Sequence, residues 1–321
     1  MSTPYFFTNR VSNWLLGLML IGVMFALNLI VGWVLLGRTG LWLAFGLLVY
    51  GFLTFPAISS RRVMRAFGAR AISLYEAPEL WRMFQTLTEA AGLKNMVELY
   101  YLPSRNPNAF AVGGGNNSAI CISDGLLRMM SGRELAGVLA HELTHIRNHD
   151  TKIMNLAQMI GRVNSTLSRI GLLLVLLGLP TFFFGNGSFR FLLAGGLLLL
   201  APVIAVLLQL ALSRSREFNA DLGAAEITRD PMGLASALRK LEEMLQRGSW
   251  WNRRIKRGPG LVEPTWLRTH PHTTERIARL EEIQRVMGDS TPTISANFPT
   301  QTFAKTSPLS RSFHLQAGSR R

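Results

Sequence analysis

The chain has 321 residues, of which 48% are hydrophobic and only 17% charged, with a single cysteine. This composition excludes a disordered chain and a disulfide scaffold, and the apolar surplus is too large for one or two globular cores alone. Lys and Arg number 34 against 19 Asp and Glu, a net charge of +15, which points to nucleic acid, anionic lipid or the cytoplasmic flanks of membrane helices.

The charges punctuate the chain. Between Arg10 and Arg38 lie 27 uncharged residues, and between Arg38 and Arg61 another 22. A helix needs roughly 20 apolar residues to cross a bilayer core. Residues 170–189 and 191–213 supply two more runs, of 20 and 23 residues, separated by Arg190 next to a Gly-rich turn. The fold class read from this pattern is a mainly α membrane protein with a small β region: four transmembrane helices in two hairpins, plus a cytoplasmic domain. The first run is too long for the core of a signal peptide and leads directly into the second. Pro180 and the turn at 185–188 are also compatible with a re-entrant second hairpin.

The basic residues set an orientation. The two short loops carry only Arg38 and Arg190, whereas Arg61, Arg62, Arg65 and Arg70 follow the second span and Arg214 and Arg216 follow the fourth. Both termini and both polar segments are therefore expected in the cytoplasm. The lone Cys121 agrees with a reducing compartment and reads as a small buried hydrophobe. The expected division is a first hairpin at 1–60, a first polar part at 61–169, a second hairpin at 170–213, a second polar part at 214–288, and a Ser/Thr/Pro-rich disordered tail at 289–321.

Within the polar segments, Trp81, Phe84, Leu87 and Ala91 recur at helical spacing in 78–92. Residues 97–102, 109–112 and 119–122 are short and β-branched or aromatic, with 113–117 as a hairpin loop between the last two. A helix is expected over 132–150, with Ser131 as N-cap and Glu134 three residues on. Helices are also expected over 217–228, 231–247 and 273–287.

The 132–150 helix carries His141-Glu142-Leu143-Thr144-His145. Histidines four apart stand one above the other, about 6 Å apart in rise, so both can face one tetrahedral zinc. Glu142 lies about 100° further round, placed to border the site as a general base without ligating. A catalytic zinc needs a third protein ligand and an open position. His149 is about 12 Å from His141 in rise on an unbroken helix, too far to share the ion. Beyond the second hairpin, Glu217 and Asp221 stand one turn apart, so one carboxylate can bind zinc while the other accepts an imidazole N–H. Glu226 is the rival ligand. An even number of spans returns this segment to the side of the first motif.

The HELTH motif after two apolar runs, the following apolar hairpin and the Glu217-x-x-x-Asp221 helix together resemble the HtpX-like membrane zinc peptidases, gluzincins related to the CAAX prenyl endopeptidases. The resemblance implies His141, His145 and Glu217 as zinc ligands, Glu142 as catalytic base and Asp221 as the support of a ligand histidine. Asn108-Ala109-Phe110-Ala111 resembles the strand along which peptide substrates align by main-chain pairing. His270-Pro271 followed by Arg276 resembles a late family element in which a cation or imidazole stabilises the oxyanion. The resemblance further implies a zincin-like metallopeptidase domain whose two parts are 61–169 and 214–288, a bacterial inner membrane location, and misfolded membrane proteins or unfolded peptides as partners beside membrane lipid; the basic run at 253–257 itself reads as a solvated or anionic-lipid-facing stretch. Nucleic acid is not expected, since the basic residues cluster at membrane borders. A prenyl-protein endopeptidase would share every catalytic residue. A transporter is the rival from another class, but the four apolar runs hold no ionisable residue and only Asn28 and Gln209 as notable polar groups.

Overall fold

The structure, a computed structural model, describes residues 4–54, 59–93, 97–114, 117–185, 189–252 and 273–288. The chain forms two compact units. One comprises residues 1–57 and 152–215, the other 58–151 and 216–321. Helices α6 (Asp150–Phe184) and α7 (Phe189–Thr228) contribute residues to both.

In the first unit, α1 (Pro4–Thr54) is two helical arms rather than one rod. Gly37 is non-helical, with φ 60 and ψ −137. Phe25 and Phe45 stack edge to face with centroids 6.0 Å apart, whereas 20 residues of straight helix would separate them by about 30 Å. The arms therefore fold back on each other. Their backbones nearly touch: a Cβ on Gly32 would lie 2.5 Å from the Gly40 carbonyl oxygen. The turn falls at Gly37 and Arg38, where the charge pattern predicts a loop.

The same close approach recurs between α6 and α7, where a Cβ on Gly195 would come within 2.7 Å of the Gly171 carbonyl oxygen. Val31 and Val34 of α1 pack with Ala194 and Leu198 of α7 to form the buried seam of the unit. Asn28 donates to the Met24 carbonyl (2.7 Å) and to Asn164 Oδ1 (3.3 Å), satisfying polar groups that apolar surroundings would otherwise leave costly. The outer surface is apolar: Trp33, Trp42, Leu47, Leu177, Phe183 and Leu207 are each more than half exposed. Among the described residues, Asn164–Phe184 is long and apolar enough to cross a membrane, the apolar stretch Gly22–Tyr50 is divided between the two arms of α1 by the turn at Gly37, and Phe189–Ile204 is a shorter apolar helix.

The second unit contains a four-stranded sheet in the order β1 (Arg70–Ala71), β2 (Val97–Leu102), β4 (Asn117–Ser123), β3 (Ala109–Gly114). β2 and β4 are parallel, and the outer two pairings are antiparallel. Alternation sorts the side chains between two faces. Leu99, Tyr101, Ala109, Ile120 and Ile122 join the main core, with α3 (Pro78–Ala90), α5 (Gly132–Arg147), α8 (Pro231–Asn252) and α9 (Thr273–Met287). Tyr100, Leu102, Ala119 and Cys121 point the other way, onto Met64 of α2 (Ser60–Ala66). Cys121 is a buried small hydrophobe, as its sequence context suggests. The short helix α4 (Asp124–Met129) follows β4, its N-cap Ser123 accepting from the Leu126 N–H.

Helix α5 departs from expectation in two respects. Sequence periodicity marks it as amphipathic, yet residues from Gly132 to Ile146 are buried almost all round, because sheet and helices enclose it. It also ends at Arg147, not at residue 150. Asn148 caps it, His149 adopts φ 60, and Asp150 begins α6. At its start the expected capping box is present: Ser131 Oγ accepts from the Glu134 N–H, and Glu134 Oε2 accepts from the Ser131 N–H at 2.8 Å. The 217–228 segment does not open a new helix but completes α7, continuous from Phe189.

Candidate metal centre

The two motif histidines lie on one face of α5, and their Nε2 atoms are 3.2 Å apart. Helix α7 brings Glu217 to the same point. Its Oε2 is 3.5 Å from His141 Nε2, and its Oε1 is 3.7 Å from His145 Nε2. One ligand atom from each of the three residues lies within 4.8 Å of the others, and all three residues are buried. The crossing that permits this is tight. A Cβ on Gly223 of α7 would come within 2.7 Å of Thr144 Oγ1 on α5, so glycine is what lets the second motif reach the first.

Each imidazole is held from behind. His141 Nδ1 is 3.0 Å from Asp221 Oδ1, and His145 Nδ1 is 2.8 Å from Asp150 Oδ2. A carboxylate on Nδ1 fixes the proton there and turns Nε2, with its lone pair, toward the shared point. Two nitrogens and one carboxylate, backed in this way, fit a divalent metal of the zinc type and leave a coordination position open.

Arg276 of α9 is fully buried beside them. Its Nε and Nη2 donate to the two oxygens of Asp221 at 2.7 and 2.6 Å, and Nη1 lies 3.1 Å from Glu217 Oε2. Burial opposes charge on Arg276, but the charges of Asp221 and Glu217 outweigh it and raise its pKa. For Asp221, burial works toward protonation, yet the Arg276 charge and the His141 hydrogen bond hold its pKa below the ordinary range. His141 is disfavoured as a cation by burial and by Arg276, but its bonds to Asp221 and Glu217 prevail and raise it to about 9. At neutral pH without metal this ring keeps a proton that metal binding must displace.

The remaining sequence candidates fall as follows. Glu142 is buried next to His141, with 1% exposure. Glu226, the rival ligand, is half exposed and pairs with Arg147 at 3.2 Å, away from the histidines. His149 is exposed and outside the cluster. His270 lies outside the described residues. Asn108 is buried and its N–H donates to Ser123 Oγ at 2.7 Å, immediately before β3. β3 is an edge strand, and it packs against α5. The Ser123 N–H donates to the Asn108 carbonyl at 2.9 Å, so antiparallel alternation turns the backbone groups of Phe110 toward β4 and those of Ala109 and Ala111 toward the open side.

The charge pattern assigns Arg216 to membrane topology, and no sequence motif includes Asp150. Arg216 is in fact buried, and its Nη1 donates to the Asp150 carbonyl at 3.2 Å. For Arg276 a signal existed: it stands one turn before Leu280, on the face of α9 that enters the core.

Residues 75–284 match the model of peptidase family M48. A protease HtpX homolog from Salinibacter ruber is 36% identical over 274 residues, covering 82% of this chain and 95% of the relative. Those from Sulfurihydrogenibium sp. and Persephonella marina are 35% and 36% identical, covering 86% and 84% of this chain and 98% and 97% of the relatives. The crystal structure of S. mikatae Ste24p superposes with a TM-score of 0.45 at 18% identity, covering 87% of this chain and 66% of that one. The family match spans most of the chain and takes in His141, His145 and Glu217, and with the HtpX relatives it shows that the chain belongs to peptidase family M48, as an HtpX-like metalloendopeptidase.

Proposed function

We propose that the chain is a zinc-dependent endopeptidase anchored by four membrane spans, with both termini and the catalytic unit in the cytoplasm of a bacterial cell, cutting misfolded membrane proteins. The observation that carries the chemistry is the convergence of His141, His145 and Glu217, with a carboxylate behind each imidazole. His141 Nε2, His145 Nε2 and a Glu217 oxygen would hold the metal. Bound there, zinc supplies Lewis acidity that polarises a carbonyl and acidifies water.

The protein's own groups do the rest. Glu142 takes a proton from the attacking water on a carboxylate oxygen and passes it to the leaving amine nitrogen. Asp221 and Asp150 keep the ring protons on Nδ1 while this occurs. The outward backbone groups of Ala109 and Ala111 align a substrate peptide as an added strand. Arg276, bound to Asp221, holds the second motif in place, and His270 with Arg276 supplies the positive field near the oxyanion.

The arms of α1 and the apolar parts of α6 and α7 support four spans, and the exposed apolar surface of that unit supports a lipid environment. Arg61, Arg62 and Arg65, beyond the first hairpin, support the cytoplasmic orientation; Arg216, buried at the site, does not count toward it. The test is purified wild type against Glu142→Gln. Both should hold about one zinc per chain, since Glu142 is not a ligand, and only the wild type should cleave casein. Equal cleavage by the two proteins refutes the mechanism.

A further inference from the structure

We propose that Asp150 and Arg216 form a positioning relay for His145, in which the carboxylate of Asp150 orients the ring and Arg216 fixes the main chain from which that carboxylate projects. The relay rests on the reading of His141, His145 and Glu217 as a zinc site. It concerns a histidine whose partner lies outside both sequence motifs.

The geometry requires a break in the helix. On a continuous helix Asp150, five residues after His145, would stand about 140° round from it and could not reach its ring. The chain instead leaves helical conformation at His149, φ 60, and re-enters it at Asp150. That kink swings the Asp150 carboxylate back to His145 Nδ1, at 2.8 Å. A left-handed conformation at a non-glycine residue is unfavourable and persists where its surroundings enforce it. Arg216 is such a surrounding. It is 3% exposed and donates from Nη1 to the Asp150 carbonyl at 3.2 Å, one residue beyond the kink. Burying a guanidinium is costly unless it is engaged, and this one sits immediately before the ligand Glu217.

The arrangement parallels the other histidine with a different connection. On His141 the arginine, Arg276, grips the side chain of the supporting aspartate. On His145 the arginine grips the aspartate's backbone. Both ligand rings thus have a carboxylate and then a guanidinium behind them.

The test is zinc affinity by chelator competition on the full-length protein in detergent, with the metal-free melting temperature measured in parallel. Asp150→Ala should weaken zinc binding roughly 10–100-fold, the range typical for loss of such a support. Arg216→Met should weaken it in the same direction, and the double variant should be no weaker than Asp150→Ala, because Arg216 acts through Asp150. Asp150→Asn, which keeps the shape, gives the same reading if Asp150→Ala fails to fold. Wild-type affinity in both Asp150 variants overturns the relay, and additive losses in the double variant overturn the Arg216 step. If the wild-type protein itself binds no stoichiometric zinc, the reading of the site falls and the relay with it. Wild-type binding with unaffected Asp150 variants refutes the relay alone.

Discussion

Removing the Arg276 guanidinium should destabilise the metal-free protein more than the metal-loaded one. The Arg276→Met substitution keeps the length and apolar stem while deleting the charge. It leaves the buried Asp221 carboxylate without its bidentate partner and Glu217 without the cation 3.1 Å away. Breaking one partner from a buried ion pair costs about 3–5 kcal/mol, because the remaining charge stays buried. For a unit of this size each kcal/mol shifts the melting temperature by about 2–4 °C, so the loss should be at least about 6 °C. On the proposed reading, bound zinc would neutralise Glu217, so the gap between wild type and variant should narrow when metal is restored. Asp221→Asn combined with Arg276→Met removes both members of the pair and should cost less than Arg276→Met alone. The assay is a thermal melt of the detergent-solubilised protein in chelator, then in excess zinc. A variant melting within about 2 °C of wild type in chelator would refute the reasoning, since the buried carboxylates would then not depend on Arg276.

Other predictions follow from single contacts. Gly223→Val places side-chain atoms where Thr144 already sits; overpacking of this kind costs about 1–3 kcal/mol, and by parting α5 from α7 it should lower zinc occupancy, which metal analysis reads directly. Glu134 is pulled toward protonation by burial, but bonds from Lys240, Ser236 and Ser131 outweigh this and lower its pKa. Its contribution is therefore complete above the ordinary carboxylate range and is lost as pH falls through the depressed value. Melts of wild type and Glu134→Gln should differ near neutrality and converge under acid conditions. Ser131→Ala, which removes the N-cap of α5, should cost about 1 kcal/mol in the same melts.

The sequence made the long and the periodic legible. β2 and α9 occupy the spans expected of them, because the β-branched and aromatic run at 97–102 and the helical pattern at 273–287 are uninterrupted. The turn at Gly37 was marked by Arg38, a charge with no place inside an apolar run. Elements α2, α4 and β1 went unread because seven, six and two residues are too few to show a period. The boundary of α7 was misplaced for a different reason: the switch from apolar to charged at Ser213–Arg216 changes environment without supplying a helix stop, so the backbone runs on. At the site, His141, His145 and Glu217 could be found by type and spacing. Asp150 could not be paired with His145, because the pairing depends on one left-handed residue, His149, that carries no glycine signature.

The groups that build the candidate metal centre come from separate stretches of chain. His141 and His145 lie on α5, Glu217 and Asp221 on α7, and Arg276 on α9, 135 residues after His141. During synthesis the HExxH helix therefore emerges long before its third ligand, and a nascent chain ending before Glu217 offers only two nitrogens. Such a chain cannot close the coordination set. On the proposed reading of the site, proteolysis therefore requires the second apolar stretch to be made first, so that Glu217 can join α5.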